Sequence, residues 1–489
     1  MKLRKAYQTL DGIMQIESKY LKAKMAGRRY SVTSAALSRQ QTEKSLENGS
    51  SLLNEDYEKS QANINGNLQE ESDLLDELAS SETRQPIRPT ITRTQSRLLD
   101  VEPASVGIKS HTDIFIHSGT RLCYGILLLV FSMIENPMFN RILYIVGFSG
   151  DRERGTRYLW QAARFDNFNS AIAGFVLLGF YNNFIMFSDV LPTDSTADDD
   201  LAGYPKTRCL HLLADMRKRY PDSKFWKLEE ARMHSANRNL SASIKILADN
   251  GESHMKQIAT INVFELSLTS MFYHDYELCA RSWLQCAELS SWSPCLYHYQ
   301  AGIAYLEIYR DLRQSDPKQA EIYKKKATES IRKAPPLAGK QKVMSKELPF
   351  DIYIRRKVLK WEERAKAWKV DLADATGTSP VTEMIFLWNG MKKQGPEELQ
   401  KSLDKLSWDR TGLPEKYEKD TDEKAVHASI LASVLRNMGR YEEAREALTN
   451  HILNHERCVF TALLTIQLSS GSGLERCLKS TSPMHNDPC

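Results

Sequence analysis

The sequence predicts an all-α chain: an α-α superhelix, or solenoid, of stacked helical pairs with a disordered insertion near its N-terminus. Three observations carry this. From Val106 onward apolar residues recur three and four apart, with no convincing run of period-two alternation. Turn residues (Asn136-Pro137, Gly147, Pro192, Pro205, Pro221, Pro294, Pro317, Pro335-Pro336, Pro349) punctuate the pattern. The segment also repeats itself at a period near 35 residues.

Composition narrows the class further. The 489 residues are 42% hydrophobic and 26% charged, enough apolar material for a sizeable core, which excludes collagen-like and wholly disordered chains. A mean hydropathy of −0.46 argues against a multispanning membrane protein. Net charge is only +4, from 66 basic against 62 acidic residues, so no nucleic-acid partner is expected. Eight cysteines without even spacing suit a reducing compartment better than a disulfide framework.

Residues 1–30 are basic but interrupted by Asp11 and Glu17, with no apolar core of the kind a secretory signal carries. Leu3, Tyr7, Leu10, Ile13 or Met14, and Leu21 fall at helical spacing. An amphipathic helix packed as the second member of a helical pair is expected over a mitochondrial or membrane-surface helix. Residues 31–105 are dominated by Ser, Thr, Asn, Gln and acidic residues, stiffened late by Pro86 and Pro89. Too little apolar surface is available there to offset ordering entropy, so a disordered insertion is expected. Ser31 and Ser96 follow arginines in the manner of basic-directed kinase targets, a pattern common by chance.

Residues 106–455 are expected to form the solenoid. Leu122–Ile134 is apolar but shorter than the roughly 20 residues a spanning helix needs. Ala171–Leu191 is long enough, yet Asn182 and Asn183 sit in its middle, so buried solenoid helices are expected. The clearest repeat runs AVHASILASVLRNMGRYEEAREALTNHIL, where Leu431, Ala432, Leu435, Gly439, Tyr441, Ala444 and Leu448 fit the tetratricopeptide pattern. Small residues let two antiparallel helices approach, Gly439 makes the turn, and Tyr441 is expected to pack over the junction. A second copy holds Ala301-Gly302, Tyr305, Ala320 and Ala327, its second helix opened by Asp316-Pro317. A third holds Leu266-Ser267, Tyr276, Cys279, Trp283 and Cys286; a fourth, degenerate one holds Trp226, Met233, Leu240, Ala242 and Ile246. Ser267 and Gly302 stand 35 positions apart, close to the ideal period of about 34. Residues 456–489 form an atypical Ser/Gly-rich tail.

The search for chemistry returns structural readings. Gly147–Gly155 offers a glycine turn with Arg152 and Arg154, but no Walker spacing follows it; an inter-helix turn with Asp151 as N-cap is expected. Cys279 and Cys286, seven apart on one helix, fit buried small positions better than metal ligation. Asp198–Asp200 reads as a solvated loop. Arg355, Arg356, Lys357, Lys360, Trp361, Arg364, Lys366 and Trp368 have the makings of a nucleic-acid surface, but Glu362 and Glu363 dilute the charge. A solvated basic face behind a core stripe of Ile354, Val358, Trp361 and Ala365 is expected instead. No HExxH, zinc-finger spacing or nucleophile elbow occurs. No catalytic, cofactor-binding or metal residue is assigned, no cofactor is expected, and partner-binding residues are left open.

Several stretches are similar to the fungal inclusion-body clearance protein family, related to the animal tetratricopeptide repeat protein 39 group. They are DIFIHSGTRLCYGILLLVFSMI, VGFSGDRERGTRYLWQAARFDNFNSAIAGFVLLGFYNNF, RYPDSKFWKLEEARMHSANRNLSASIKIL, MFYHDYELCARSWLQCAELSSWS and LPFDIYIRRKVLKW. The resemblance covers about Val106–His455 plus the N-terminal helix. It departs at both ends: family members usually begin with a further helix, and their closing helix is replaced here after His455. The resemblance implies a helical-repeat adaptor without catalysis that acts in clearing inclusion bodies after folding stress, with lipid-droplet proteins as partners. Cytoplasm and nucleus are the implied locations. A concave surface receiving a peptide or helix is the expected mode of binding. The alternative is a peripheral membrane or lipid- and sterol-associated protein at lipid droplets or the mitochondrial outer membrane.

Overall fold

Proline at the first helical position, where its missing N–H costs nothing, opens six helices: those starting at Pro294, Pro317, Pro349, Pro380, Pro396 and Pro414. Of these six, the sequence pattern gives Pro294 and Pro349 only as turns and does not mark Pro380, Pro396 or Pro414; all are helix starts. The structure, a computed structural model, describes residues 5–16, 19, 110–134, 150–185, 204–251, 253, 255–343, 346–417 and 419–453. The expected insertion at 31–105, the tail at 456–489, Ser31, Ser96, Gly147–Ser149 and Asp198–Asp200 lie outside them. Two compact units are formed, residues 1–173 and 174–489.

In the first unit, α1 (residues 5–16) packs on α2 (His111–Ser132) and α3 (Arg152–Ala163). Tyr7 and Met14 are the buried residues of α1, set against Tyr124, Leu128, Phe131 and Tyr158. Tyr124 donates a hydrogen bond to Asp11 at 2.5 Å. The helix is thus a packed element, with Met14 rather than the exposed Ile13 facing in. α2 is longer than its apolar run and, at 22 residues, long and apolar enough to cross a membrane by length and composition. Half of that window is buried inside the unit. Asp151 caps α3 as expected, accepting from the Arg154 N–H at 2.9 Å. α2 and α3 cross at paired glycines, where a Cβ on Gly125 or on Gly155 would lie 2.9 Å from the other's carbonyl oxygen.

α4 (Phe168–Gly179) straddles the division in sequence and runs on as a π-helical turn, Phe180–Ile185. The second unit continues with α5 (Lys206–Arg219), α6 (Lys224–Ala236), α7 (Leu240–Asp249), α8 (Lys256–Tyr273), α9 (Tyr276–Leu289), α10 (Pro294–Leu312) and α11 (Pro317–Lys333). A two-residue antiparallel pair, β1 (Lys342–Val343) with β2 (Lys346–Glu347), follows. It is too short to form a layer and leaves the all-α class intact. Then come α12 (Pro349–Trp368), α13 (Pro380–Leu387), α14 (Pro396–Asp404), α15 (Pro414–Tyr417), α16 (Thr421–Asn437) and α17 (Tyr441–Leu448).

All four predicted repeats are helical hairpins: α6/α7, α8/α9, α10/α11 and α16/α17. Asp275, Ser293 and Asp316 cap the helices that follow them. Gly439 turns with φ +80°, in the left-handed region that favours glycine. Two details differ from expectation. The ring of Tyr441 is 66% exposed rather than packed over the junction. In the degenerate copy the inward small residue is Ser243, with Ala242 half-buried. The core is aromatic at its centre: Trp283 stacks on Tyr297 with centroids 5.8 Å apart, and Tyr299 on Trp361 at 6.0 Å.

Gly302 marks the closest approach of α10 and α11, since a Cβ there would sit 2.7 Å from Ile331 Cγ1 and 2.9 Å from the Ile331 nitrogen. Gly302→Ala is therefore expected to lose about 1–3 kcal/mol in urea unfolding through overpacking. An unchanged midpoint would mean that the helix pair separates freely at this point.

Candidate interaction surface

The loop leaving α12 is polar in sequence (LADATGTSPVT) yet buried, with Ala375, Thr376, Ser379 and Thr382 all at 0–1% exposure. A buried irregular backbone has no ladder to pair its amides and carbonyls, so other groups must do it. Arg310 of α10 donates to the carbonyls of Thr376 and Gly377, each at 2.9 Å. Glu423 of α16 accepts from the Thr378 N–H at 3.0 Å. A side chain at Gly377 would collide with the Glu423 carboxylate, which is why glycine stands there. Ser379 caps α13 and donates to Glu307 at 2.6 Å.

Charges converge on this loop in pairs. Lys357 binds Glu383 at 2.7 Å with side chains 5% and 0% exposed. Arg364 reaches both Glu423 at 2.7 Å and Asp420 at 2.6 Å. Arg410 joins Glu307 at 3.0 Å to Asp311 at 2.7 Å. Burial alone would raise the Glu423 carboxyl, but Lys357 and Arg364 beside it hold it down at about 2.

From this hub residues 380–404 run as a strap across the first helices of the hairpins, touching α6, α8, α10 and α16. Every residue of α13 is buried. Burying Val381, Met384, Ile385, Phe386 and Leu387 is worth about 1.5–3 kcal/mol each. The sum is on the order of 10 kcal/mol, similar to the net stability of a whole domain. Trp388 stacks on Phe350 at 5.1 Å and meets Phe264 edge-on at 5.8 Å. Gln394 donates to the Phe272 carbonyl at 2.8 Å and accepts from Ser402 at 2.9 Å. Lys393 lies beside Glu265, which Arg232 binds at 2.7 Å while also binding the fully buried Glu229 at 2.6 Å. Burial lowers the Lys393 ammonium despite that carboxylate.

His274 closes the α8–α9 turn with φ +68° and ties it to the strap. Its Nε2 lies 2.9 Å from the Glu398 carbonyl and its Nδ1 2.8 Å from the Tyr276 hydroxyl. A carbonyl only accepts, so Nε2 carries the proton and Nδ1 accepts from Tyr276. Burial pushes this imidazole down to about 4. Beside it opens a cleft of about 520 Å³ lined by Tyr273, Tyr276, Ile308, Leu312, Tyr323 and Lys401, among others. Lys401 and Lys405 lie over the Tyr273 and Tyr276 rings at 5.6 and 5.3 Å.

The residues singled out from sequence fall as follows. The stripe Ile354, Val358, Trp361 and Ala365 is buried as expected. The basic face behind it is solvated only in part: Arg356 and Lys366 are exposed, whereas Lys357 and Arg364 turn inward and Arg355 and Lys360 pair with Glu347 and Asp422. Cys279 and Cys286 are fully buried, and burial pushes the Cys286 thiol up to about 11. Among the described residues no group of three His, Cys, Asp or Glu side chains is placed to hold a metal. The hub and strap were not anticipated. Their sequence signal was the run Val381–Leu387, apolar on nearly every side and opened by Ser379-Pro380.

Two outcomes are expected. Lys357→Met should cost about 3–5 kcal/mol by leaving Glu383 buried without a counter-charge, and Lys357→Met with Glu383→Leu should recover much of it. Denaturant titrations of the single and double variants measure this. The second concerns pH. Folding lowers the His274 pKa from 6.5 to about 4, so the unfolded chain takes a proton that the folded one refuses. That stability is complete above pH 6.5 and declines by about 3 kcal/mol as pH falls to about 4. Glu423 adds a loss between pH 4.5 and about 2. His274→Gln should reduce the loss between pH 6.5 and about 4, to which His117 and His427 contribute with the same sign, and an unaltered curve would remove His274 as a cause.

The chain matches the model of the Iml2/Tetratricopeptide repeat protein 39 family over residues 1–438. It is 54% identical over 433 residues to the inclusion body clearance protein iml2 of Sclerotinia sclerotiorum, covering 88% of this chain and 66% of that protein. The protein of the same name in Aspergillus terreus is 40% identical over 95% of this chain and 66% of its own length. That of Yarrowia lipolytica is 31% identical over 93% and 65%. The chain thus spans just under two thirds of the length of these relatives. With its hairpins in place and this likeness along most of its length, the chain belongs to the Iml2/Tetratricopeptide repeat protein 39 family.

Proposed function

We propose that this chain takes part in the clearance of protein inclusion bodies as a non-catalytic scaffold for other proteins. The observation that carries the role is the 54% identity, over 88% of the chain, to a relative named for it. The scaffold reading is supported by chemistry: the converging ionisable groups, such as Lys357 with Glu383 and Arg364 with Glu423, are spent on one another inside the fold. Its setting is the cytoplasm and nucleus after folding stress, and its partners include lipid-droplet proteins. The test is an aggregated reporter followed after heat stress in cells lacking the protein. Inclusions should persist longer there, and re-expression of this chain should restore their loss. Equal clearance with and without it would overturn the role. Proximity labelling during stress should recover lipid-droplet proteins.

A second reading, contact with a lipid surface, is favoured by one observation: α2 leaves Phe115, Ile116 and Val130 more than half exposed on an apolar helix. Flotation of the purified chain with liposomes separates the two readings. The scaffold reading expects no stable binding without a protein partner.

A further inference from the structure

Stacked helical hairpins ordinarily leave the face built by their first helices open, and a peptide or helix from elsewhere docks there. In the second unit that face has an occupant. Residues 380–404 lie on α6, α8, α10 and α16, the first helices of the four hairpins. We propose that this strap is a permanent, built-in ligand of the first-helix face: it is a fixed part of the fold, it is not exchanged for a partner, and partners are selected on other surfaces. This rests on the packing alone and is independent of the role in inclusion-body clearance.

Three features hold the strap. Its helix α13 has no solvent side, since all residues from Pro380 to Leu387 are buried. A segment displaced by a competitor ordinarily keeps one polar face ready for water; α13 has none, and the strap's solvent face lies only on α14, at Glu397, Gln400, Lys401 and Asp404. Both of its ends are pinned by buried polar groups, Glu383 to Lys357 at one end and Gln394 and Glu398 to Phe272 and His274 at the other. A competitor seated in its place would have to replace the bonds to Lys357, to the Phe272 carbonyl and to His274 Nε2, or leave those groups buried without them. The backbone itself fits closely at Gly390, where any side chain would collide with the Phe272 ring. An incoming peptide would have to reproduce the carboxylate, the amide and the bare backbone at the same three places.

Native-state hydrogen exchange on the full chain tests this. A permanent strap opens only with the whole unit, so amides of Met384–Leu387 should exchange within about threefold of those at 301–306 and with the same denaturant dependence. A releasable strap exchanges about 100-fold faster than α10 with a shallow denaturant dependence, and that result overturns the proposal. Ile385→Ala gives an independent reading. It should lower the protection of the strap and of α10 by the same factor, whereas a loss confined to the strap contradicts permanence. Either result leaves the inclusion-clearance role to its own assay.

Discussion

An irregular loop buried in the middle of a helical stack must have its backbone amides and carbonyls paired by side chains, and in this protein charged ones do it. The segment 372–382 is fed by Arg310 from α10 and Glu423 from α16, and flanked by Lys357 from α12 with Glu383 from α13. None of these charges tolerates loss of its partner in a dry interior, so the four helices are fixed to one another by requirement rather than by area alone. The direction in which the chain enters the strap, and with it the packing of Trp388 and Gln394, follows from that fixed point. A buried pair replaced by apolar residues of similar volume often costs little, so the hub's hold on the helices lies in what is left unpaired when one partner alone is removed.

The hairpins were legible in the sequence because their determinants are local. Small residues such as Ser267, Gly302 and Ala327 recur where two helices must touch, and capping residues stand immediately before the helices they start. Tyr441 shows the limit of the pattern. The equivalent Tyr276 is buried at 5% because it reaches His274 and underlies Lys405, while the ring at 441 meets no such cover among the described residues. The strap was not legible for a physical reason. Helical periodicity is visible only when one side of a helix is polar, and α13 is covered all round. The hub was hidden by distance along the chain: Arg364 and Glu423 are far apart in sequence, so composition shows a basic cluster and not its neutralisation.

The same charges change how the surface is read. A helix rich in Arg, Lys and Trp invites an expectation of anionic partners. Once Lys357 and Arg364 are turned inward and Arg355 and Lys360 are paired, little unopposed charge remains for long-range attraction. Beside Tyr273 and Tyr276 the second unit opens an aromatic cleft with the Lys401 and Lys405 ammonium groups over the rings.

The strap also alters the order in which the chain is able to fold. Solenoids of nearest-neighbour hairpins assemble stepwise as each emerges during synthesis. Here Gln394 closes on Phe272 and Glu423 on Thr378, so helices made early wait for segments made much later. Such long-range closure slows folding and leaves the first-helix layer bare for longer on the ribosome. During its own synthesis the chain therefore passes through an interval in which its apolar first-helix layer is uncovered.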